Sequence, residues 1–370
     1  MRGAVIHAPG DVRVEERADP EITAPTDAVI RTVASCVCGS DLWDYRGANP
    51  FTGPKPMGHE YVGVVEEVGR DVALIKPGQF VVGSFYASDN TCANCRNGYQ
   101  SSCLHREPLA ASGCQSEYIR VPLADGTLVA TPEPPDEAFV PSLLACSDVM
   151  GTGWYAALAA GVRPGATVVV VGDGAVGLCA VLAARELLAG PPASGGTGGA
   201  GATGAAAGAG AAGGSGGGPG RIIAMSRHAS RQRLAREFGA TDIVAERGDE
   251  GVARVKEMTG GIGADAVLEC VGTGDSMRQA LRSARPGGSV GFVGVPHGVR
   301  IDGAELFSSH VGLRGGPAPV RAYLPDLVER VLAGRIDPGR VFDLTLPLEQ
   351  TGEAYRAMDQ REAVKALLRP

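Results

Sequence analysis

Cys92, Cys95 and Cys103, with Asp89 just upstream, have the spacing by which a single loop wraps a tetrahedral metal ion. The Cys-x-x-Cys pair offers two soft thiolates from one turn, Cys103 a third, and Asp89 stands where a fourth ligand is needed. A site with four protein ligands is closed, so this one is expected to stabilise a lobe rather than do chemistry. A second constellation is Gly172-Asp173-Gly174-Ala175-Val176-Gly177, directly after the apolar, β-branched run Ala166–Val171 and at the mouth of a helical pattern. Strand, glycine turn and helix in that order make a dinucleotide cradle. Gly172 permits the tight turn, Gly174 lets the backbone approach a pyrophosphate, and Gly177 lets helix and strand pack closely. The N–H groups of the helix start, at Ala175 and Val176, face the anion.

The following strand candidate, Arg221–Met225, bears on which dinucleotide is held. Sites for NAD usually carry an acid at this strand end to bond the ribose 2′-OH. This one continues Ser226-Arg227-His228, with Arg231 one helical turn on, and has no acid of its own. Ser226 and Arg227 are donors suited to a 2′-phosphate, so NADP is expected in preference to NAD. Cys38, within Cys36-Val37-Cys38-Gly39-Ser40-Asp41, and the pair His59-Glu60 are also of metal-ligating types, but their spacing does not link them.

The elements that position these residues fall into two patterns. A chain of 370 residues, at roughly 150 per domain, implies two or three domains. Residues 1 to about 135 are short strands broken by turns, among them Ala28–Val33, Tyr61–Val68, Gln79–Val82 and Glu117–Val121. Helical periodicity then runs from Phe139 to Leu158, and from Ala166 onward strands and helices alternate as in a doubly wound parallel α/β sheet. Further strands are expected at Ala266–Cys270 and Ser289–Val293, with helices at Arg231–Phe238 and Ser276–Ala284. Residues 190–220 hold 15 Gly and 9 Ala and carry no charge, too little apolar surface to offset chain entropy, and are expected to form a disordered insertion.

Composition excludes other classes. Net charge is −7 with no basic run, so a nucleic-acid partner is not expected. No stretch approaches the ~18 to 20 apolar residues of a membrane helix, and residues 1–20 have no secretory pattern, so a cytoplasmic location is expected. There, nine cysteines read as ligands, thiols or small buried side chains rather than disulfides.

Taken together, Cys38-Gly39-Ser40-Asp41, Gly58-His59-Glu60-Tyr61-Val62-Gly63, the cysteine lobe, Asp148 ahead of Thr152-Gly153, the glycine turn and Gly260-Gly261-Ile262-Gly263-Ala264-Asp265 resemble the zinc-dependent medium-chain dehydrogenase/reductase family, alcohol dehydrogenase branch. The likeness covers everything but residues 190–220. It implies a GroES-like, mostly β catalytic domain at 1–149, a Rossmann domain at 150–298 and a return to the catalytic domain over 299–370. It makes Cys38, His59 and Asp148 ligands of a catalytic zinc, Glu60 an exchanging ligand, Asp41 the support of His59, and the lobe a second, structural zinc site. By the same likeness Ser40 is expected to take the substrate proton, and Thr152 and the backbone around Cys270–Gly274 to lie beside the nicotinamide. Lys365 is placed near the cofactor phosphates. The pattern departs at Asp148 and Asp89, where many relatives have cysteine, and at Trp43, where several have a proton-relaying histidine. Trp43, Tyr45, Phe51, Phe85 and Trp154 are the aromatics offered as pocket lining.

The implied reaction moves hydride between an alcohol and its aldehyde or ketone and NADP(H) or NAD(H), in a homodimer or homotetramer. Two alternatives are a zinc-free NADPH quinone or enone reductase and a nucleotide-binding protein without catalysis. The first has no use for the metal-ligating residues, and the second has no use for Ser40 beside Cys38 and His59.

Overall fold

The computed structural model describes residues 1–109, 112–190 and 220–370; the insertion expected at 190–220 lies, but for its two end residues, outside the described residues. The chain divides into two compact units, Met1–Gly151 with Pro319–Pro370, and Thr152–Ala318.

In the first unit the β-branched stretches form strands β1 (Ala28–Cys36), β2 (Tyr61–Val68), β3 (Phe80–Gly83), β4 (Tyr118–Val121) and β5 (Leu128–Ala130), with the short helix α1 (Asp41–Tyr45) after β1. Their inward residues, Ile30, Tyr61, Val65, Val81, Ile119 and Leu128 among them, form one apolar core. A single helix was expected over Phe139–Leu158, but there are two, α2 (Val140–Cys146) and α3 (Val149–Ala159). The Ser147 hydroxyl donates to the Leu144 carbonyl at 2.7 Å, giving that carbonyl a local partner and closing α2. Asp148 is left in the joint, and unbroken apolar periodicity gave no sign of it.

The second unit is a six-stranded parallel sheet. Strands β6 (Thr167–Val171), β7 (Arg221–Met225), β8 (Asp242–Val244), β9 (Ala264–Glu269), β10 (Ala284–Phe292) and β11 (Gly312–Gly315) lie in the order β8-β7-β6-β9-β10-β11. This is the Rossmann order, with β6 central and Val168 to Val171 buried, as its uninterrupted valines require. The sheet is flanked by helices that include α4 (Ala175–Ala189), α5 (Ala229–Phe238) and α6 (Gly274–Ser283). The unit runs to Ala318 rather than ending at 298, because β11 extends the sheet by pairing with β10.

The return segment adds β12 (Leu344–Pro347) and β13 (Ala366–Arg369) to the sheet of the first unit, β13 pairing antiparallel with β1 through Leu367–Cys36 and Leu368–Ser35. A helix at Thr351–Asp359 brings the buried Tyr355 into the same unit, against Val37, Leu42 and Met57.

Candidate functional site

The lobe is built by one loop. Cys92 Sγ lies 3.5 Å from Cys95 Sγ and 3.9 Å from Cys103 Sγ. Tetrahedral thiolates about 2.3 Å from a shared ion stand roughly 3.8 Å apart, so the spacing fits. Cys92, itself in an extended conformation, precedes the helical turn Ala93–Arg96, in which Cys95 falls. Asp89 closes the set, its Oδ1 accepting the N–H groups of Thr91 (2.8 Å) and Cys92 (3.0 Å) and its Oδ2 meeting His105 Nδ1 at 2.7 Å. Burial opposes its charge, but these bonds outweigh it and hold the carboxyl far below its usual range. Backbone N–H groups of Leu104 and Cys95 bring the Cys92 thiol down to about 7, whereas burial and neighbouring acidic groups push Cys95 up.

The second donor set draws on distant parts of the chain. Cys38 follows β1, His59 and Glu60 precede β2, and Asp148 sits between α2 and α3; their ligand atoms all lie within 4.8 Å of one another. Asp148 Oδ2 is 3.2 Å from His59 Nε2 and 3.7 Å from Cys38 Sγ. Asp41 braces both partners, Oδ2 accepting the Cys38 N–H at 3.0 Å and Oδ1 facing His59 Nδ1 at 3.3 Å. That contact turns Nε2 toward the other donors. Burial opposes a charge on His59, yet Asp41, Cys38 and Asp148 together hold its pKa well above the ordinary value. Burial and the surrounding acids push Cys38 up as well. Several anionic donors in one buried place call for a cation.

Lys365 corrects the sequence reading. It is buried, with Nζ 2.7 Å from Glu60 Oε1 and 3.2 Å from the Val37 carbonyl, and so it pairs with the second donor set rather than facing cofactor phosphates. The other Glu60 oxygen, Oε2, is buried without a hydrogen-bond partner, an acceptor in the midst of the donor set. Tyr45 and Phe51 pack against the core, Tyr45 with its ring 5.4 Å from that of Tyr355, rather than lining a pocket. Phe85 does reach the site, its ring edge-on to His59 at 6.1 Å. Ser40, beside Cys38, is partly exposed at the start of α1 and its hydroxyl makes no capping bond.

The glycine turn in the second unit is built for close approach. Gly172 has φ of 118°, and a Cβ at Gly177 would lie 2.1 Å from the Gly172 carbonyl oxygen. A Cβ at Gly174 would meet nothing within 4 Å, which leaves room over the N–H groups of Ala175 and Val176 for a pyrophosphate. Thr152 is buried on α3, next to Gly153, where the helix runs against Cys179 and Ala180 of α4. At the end of β7 the structure again departs from expectation, because an acid is present there after all. Asp173, from the turn after β6, accepts a 2.8 Å bond from Ser226 Oγ. Ser226 is therefore already engaged, Arg227 is exposed, and Arg231 and Arg247 are the cations drawn to Asp173.

Residues 24–133 match the family described as alcohol dehydrogenase GroES-like domain, and residues 202–330 that described as zinc-binding dehydrogenase. A zinc-type alcohol dehydrogenase B of Aspergillus flavus is 33% identical over 100% of this chain and 81% of its own. The chain belongs to the zinc-dependent alcohol dehydrogenase family. A probable zinc-binding alcohol dehydrogenase of Mycobacterium tuberculosis is 32% identical, covering 100% of this chain and 89% of its own. The solved alcohol dehydrogenase from Thermus sp. ATN1 superposes with a TM-score of 0.83 at 31% identity, over 100% of this chain and 99% of that one. As a member of the alcohol dehydrogenase family the chain is an oxidoreductase with Rossmann and GroES-like domains.

Against that family's zinc, both donor sets fit by chemistry and spacing. Several supporting residues escaped the sequence reading. Gln115 Nε2 donates to Asp41 Oδ2 at 3.3 Å and to the Cys36 carbonyl at 3.0 Å, and Tyr355 OH donates to Gln115 Oε1 at 3.1 Å. Gly58, with φ of 91°, leaves the space that Gln115 fills, since a Cβ there would lie 2.5 Å from Gln115 Cγ. One signal was available: a glycine immediately before a ligating histidine marks a close approach. Among the described residues no disulfide forms, and no helix is long and apolar enough to cross a membrane.

Proposed function

We propose that the protein interconverts a small alcohol and its aldehyde or ketone, using a catalytic zinc at Cys38, His59 and Asp148, with Glu60 as the exchanging ligand. A second, structural zinc belongs to Asp89, Cys92, Cys95 and Cys103. The observation that carries this reading is the convergence of four buried or half-buried donors from three separate chain segments within 4.8 Å. When bound, the zinc supplies Lewis-acid activation of the substrate oxygen, and the nicotinamide takes up or delivers the hydride. Asp41 holds His59 in one orientation, and Gln115, itself held by Tyr355, holds Asp41. Ser40 Oγ takes the proton of the alcohol. Indole carries no titratable relay group, so with Trp43 at the next relay position the proton leaves Ser40 for water at its partly exposed edge.

The cofactor is NADP(H) in preference to NAD(H). Arg227, Arg231 and Arg247 near the end of β7 supply more positive charge than Asp173 removes, which supports a 2′-phosphate. Ala175, Val176 and the three glycines hold the pyrophosphate, and Thr152 lies beside the nicotinamide. The protein works in the cytoplasm, where cysteine ligands stay reduced, and assembles as a homodimer or homotetramer. The outer edge of β11, which pairs with no strand among the described residues, and the exposed Val295, Ile301 and Phe307 support assembly.

The test is a panel of primary and secondary alcohols, polyols, aldehydes and ketones with each dinucleotide, followed by nicotinamide absorbance, together with metal analysis. Zinc-dependent turnover with two equivalents of zinc per chain is expected from the two donor sets. Turnover that survives removal of all zinc overturns the reading.

A further inference from the structure

The end of β7 is where a doubly wound fold meets the adenosine ribose, and the group that meets it there normally comes from that strand. Here a carboxylate arrives from the adjacent turn. Asp173 sits between Gly172 and Gly174, and its side chain is 10% exposed. Oδ2 accepts from Ser226 Oγ at 2.8 Å, and Oδ1 lies 3.5 Å from Arg231 Nη1 and 4.0 Å from Arg247 Nη2. Arg231 Nη1 also approaches the Asp173 carbonyl at 3.4 Å. Ser226 is fixed in turn, its N–H bonded to the Val244 carbonyl at 3.0 Å and its carbonyl to Gln232 Nε2 at 2.8 Å. The carboxylate is therefore held at the first residue beyond the strand, and it stays ionised because Ser226, Arg231 and Arg247 outweigh the effect of burial.

We propose that Asp173 sets the dinucleotide preference, its carboxylate accepting the ribose 2′-OH of NAD and repelling the 2′-phosphate of NADP. This rests on the reading of the glycine turn as a dinucleotide site, and it adds an opposing residue to the cations proposed to favour NADP. Arg231 and Arg247 attract a phosphate of nearly two negative charges, and Asp173 cancels part of that attraction. The outcome is a site that admits both dinucleotides, with the balance held by one carboxylate.

The experiment measures dissociation constants of NADH and NADPH by titration of the zinc-loaded protein at fixed ionic strength, for the parent, Asp173→Asn and Ser226→Ala. Asp173→Asn keeps the shape and removes the charge, and is expected to shift the ratio of the two constants toward NADPH by about tenfold or more. Ser226→Ala leaves the charge and removes the donor that partly neutralises it, and is expected to shift the ratio the other way. An unchanged ratio in Asp173→Asn, or equal loss of both dinucleotides in both variants, overturns the proposal. If Asp173→Asn does not fold, the direction of the Ser226→Ala shift decides. A parent that prefers NADH contradicts the proposed NADP preference and leaves this test standing. A parent that binds neither dinucleotide refutes the cofactor reading and the proposal with it.

Discussion

The two donor sets of the first unit are made in opposite ways. The lobe takes its ligands from residues 89–103, held by local backbone bonds, with Asp89 and Cys92 only partly buried and the His105 side chain 68% exposed. The Cys38 set spans 38–148, and its further support comes from Gln115, Tyr355 and Lys365, the last 305 residues from Glu60. A local loop with a closed ligand set can be a staple without touching the rest of the fold. A set assembled from several elements can be braced from all sides, as a site that must hold its geometry through a reaction requires.

That contrast breaks or stands on four measurements. Cys38→Ala is expected to lower turnover by roughly a thousandfold or more, with little change in the melting transition, because it removes a ligand of the proposed catalytic zinc. A comparable fall in thermal stability would show this set to be structural as well. Cys95→Ala should do the reverse, losing one equivalent of zinc and several kcal/mol of stability in denaturant unfolding while the remaining folded protein keeps its turnover. Wild-type stability in that variant would mean the lobe is no staple. Lys365→Met removes the ammonium paired with the buried Glu60, and is expected to cost about 3 to 5 kcal/mol in the same unfolding measurement. Recovery of most of that loss in the double variant with Glu60→Gln would locate it in the pair. His105→Ala takes away the exposed brace of Asp89, and should weaken zinc in the lobe by about tenfold in a chelator competition, with turnover unchanged.

What could be read from the sequence follows the same division. Local signals were legible: the lobe by cysteine spacing, the glycine turn by its place after a buried strand, and strands Tyr61–Val68 and Arg221–Met225 to the residue. Groups brought together by tertiary folding were not. Lys365 carries a charge and so suggested a phosphate, but nothing near it in sequence shows that it is sealed against Glu60. Asp173 was visible as an acid, yet a search along one strand end cannot find a side chain supplied by the neighbouring turn. The joint at Asp148 was hidden because apolar periodicity continues across it, while the Ser147 hydroxyl ends the helix. The Cys38, His59, Asp148 grouping came from family likeness, since spacing alone cannot join residues that meet only in space.

The Lys365–Glu60 pair also sets an order of events during synthesis. Chains fold from the N-terminal side as they emerge, and the lobe has every ligand in hand once Cys103 is out. Glu60 must wait for its counter-cation until some 300 further residues have been translated and β13 has docked on β1. A nascent chain can therefore present the complete lobe early, whereas the Cys38 donor set reaches its final buried form only after Lys365 has emerged and β13 has docked.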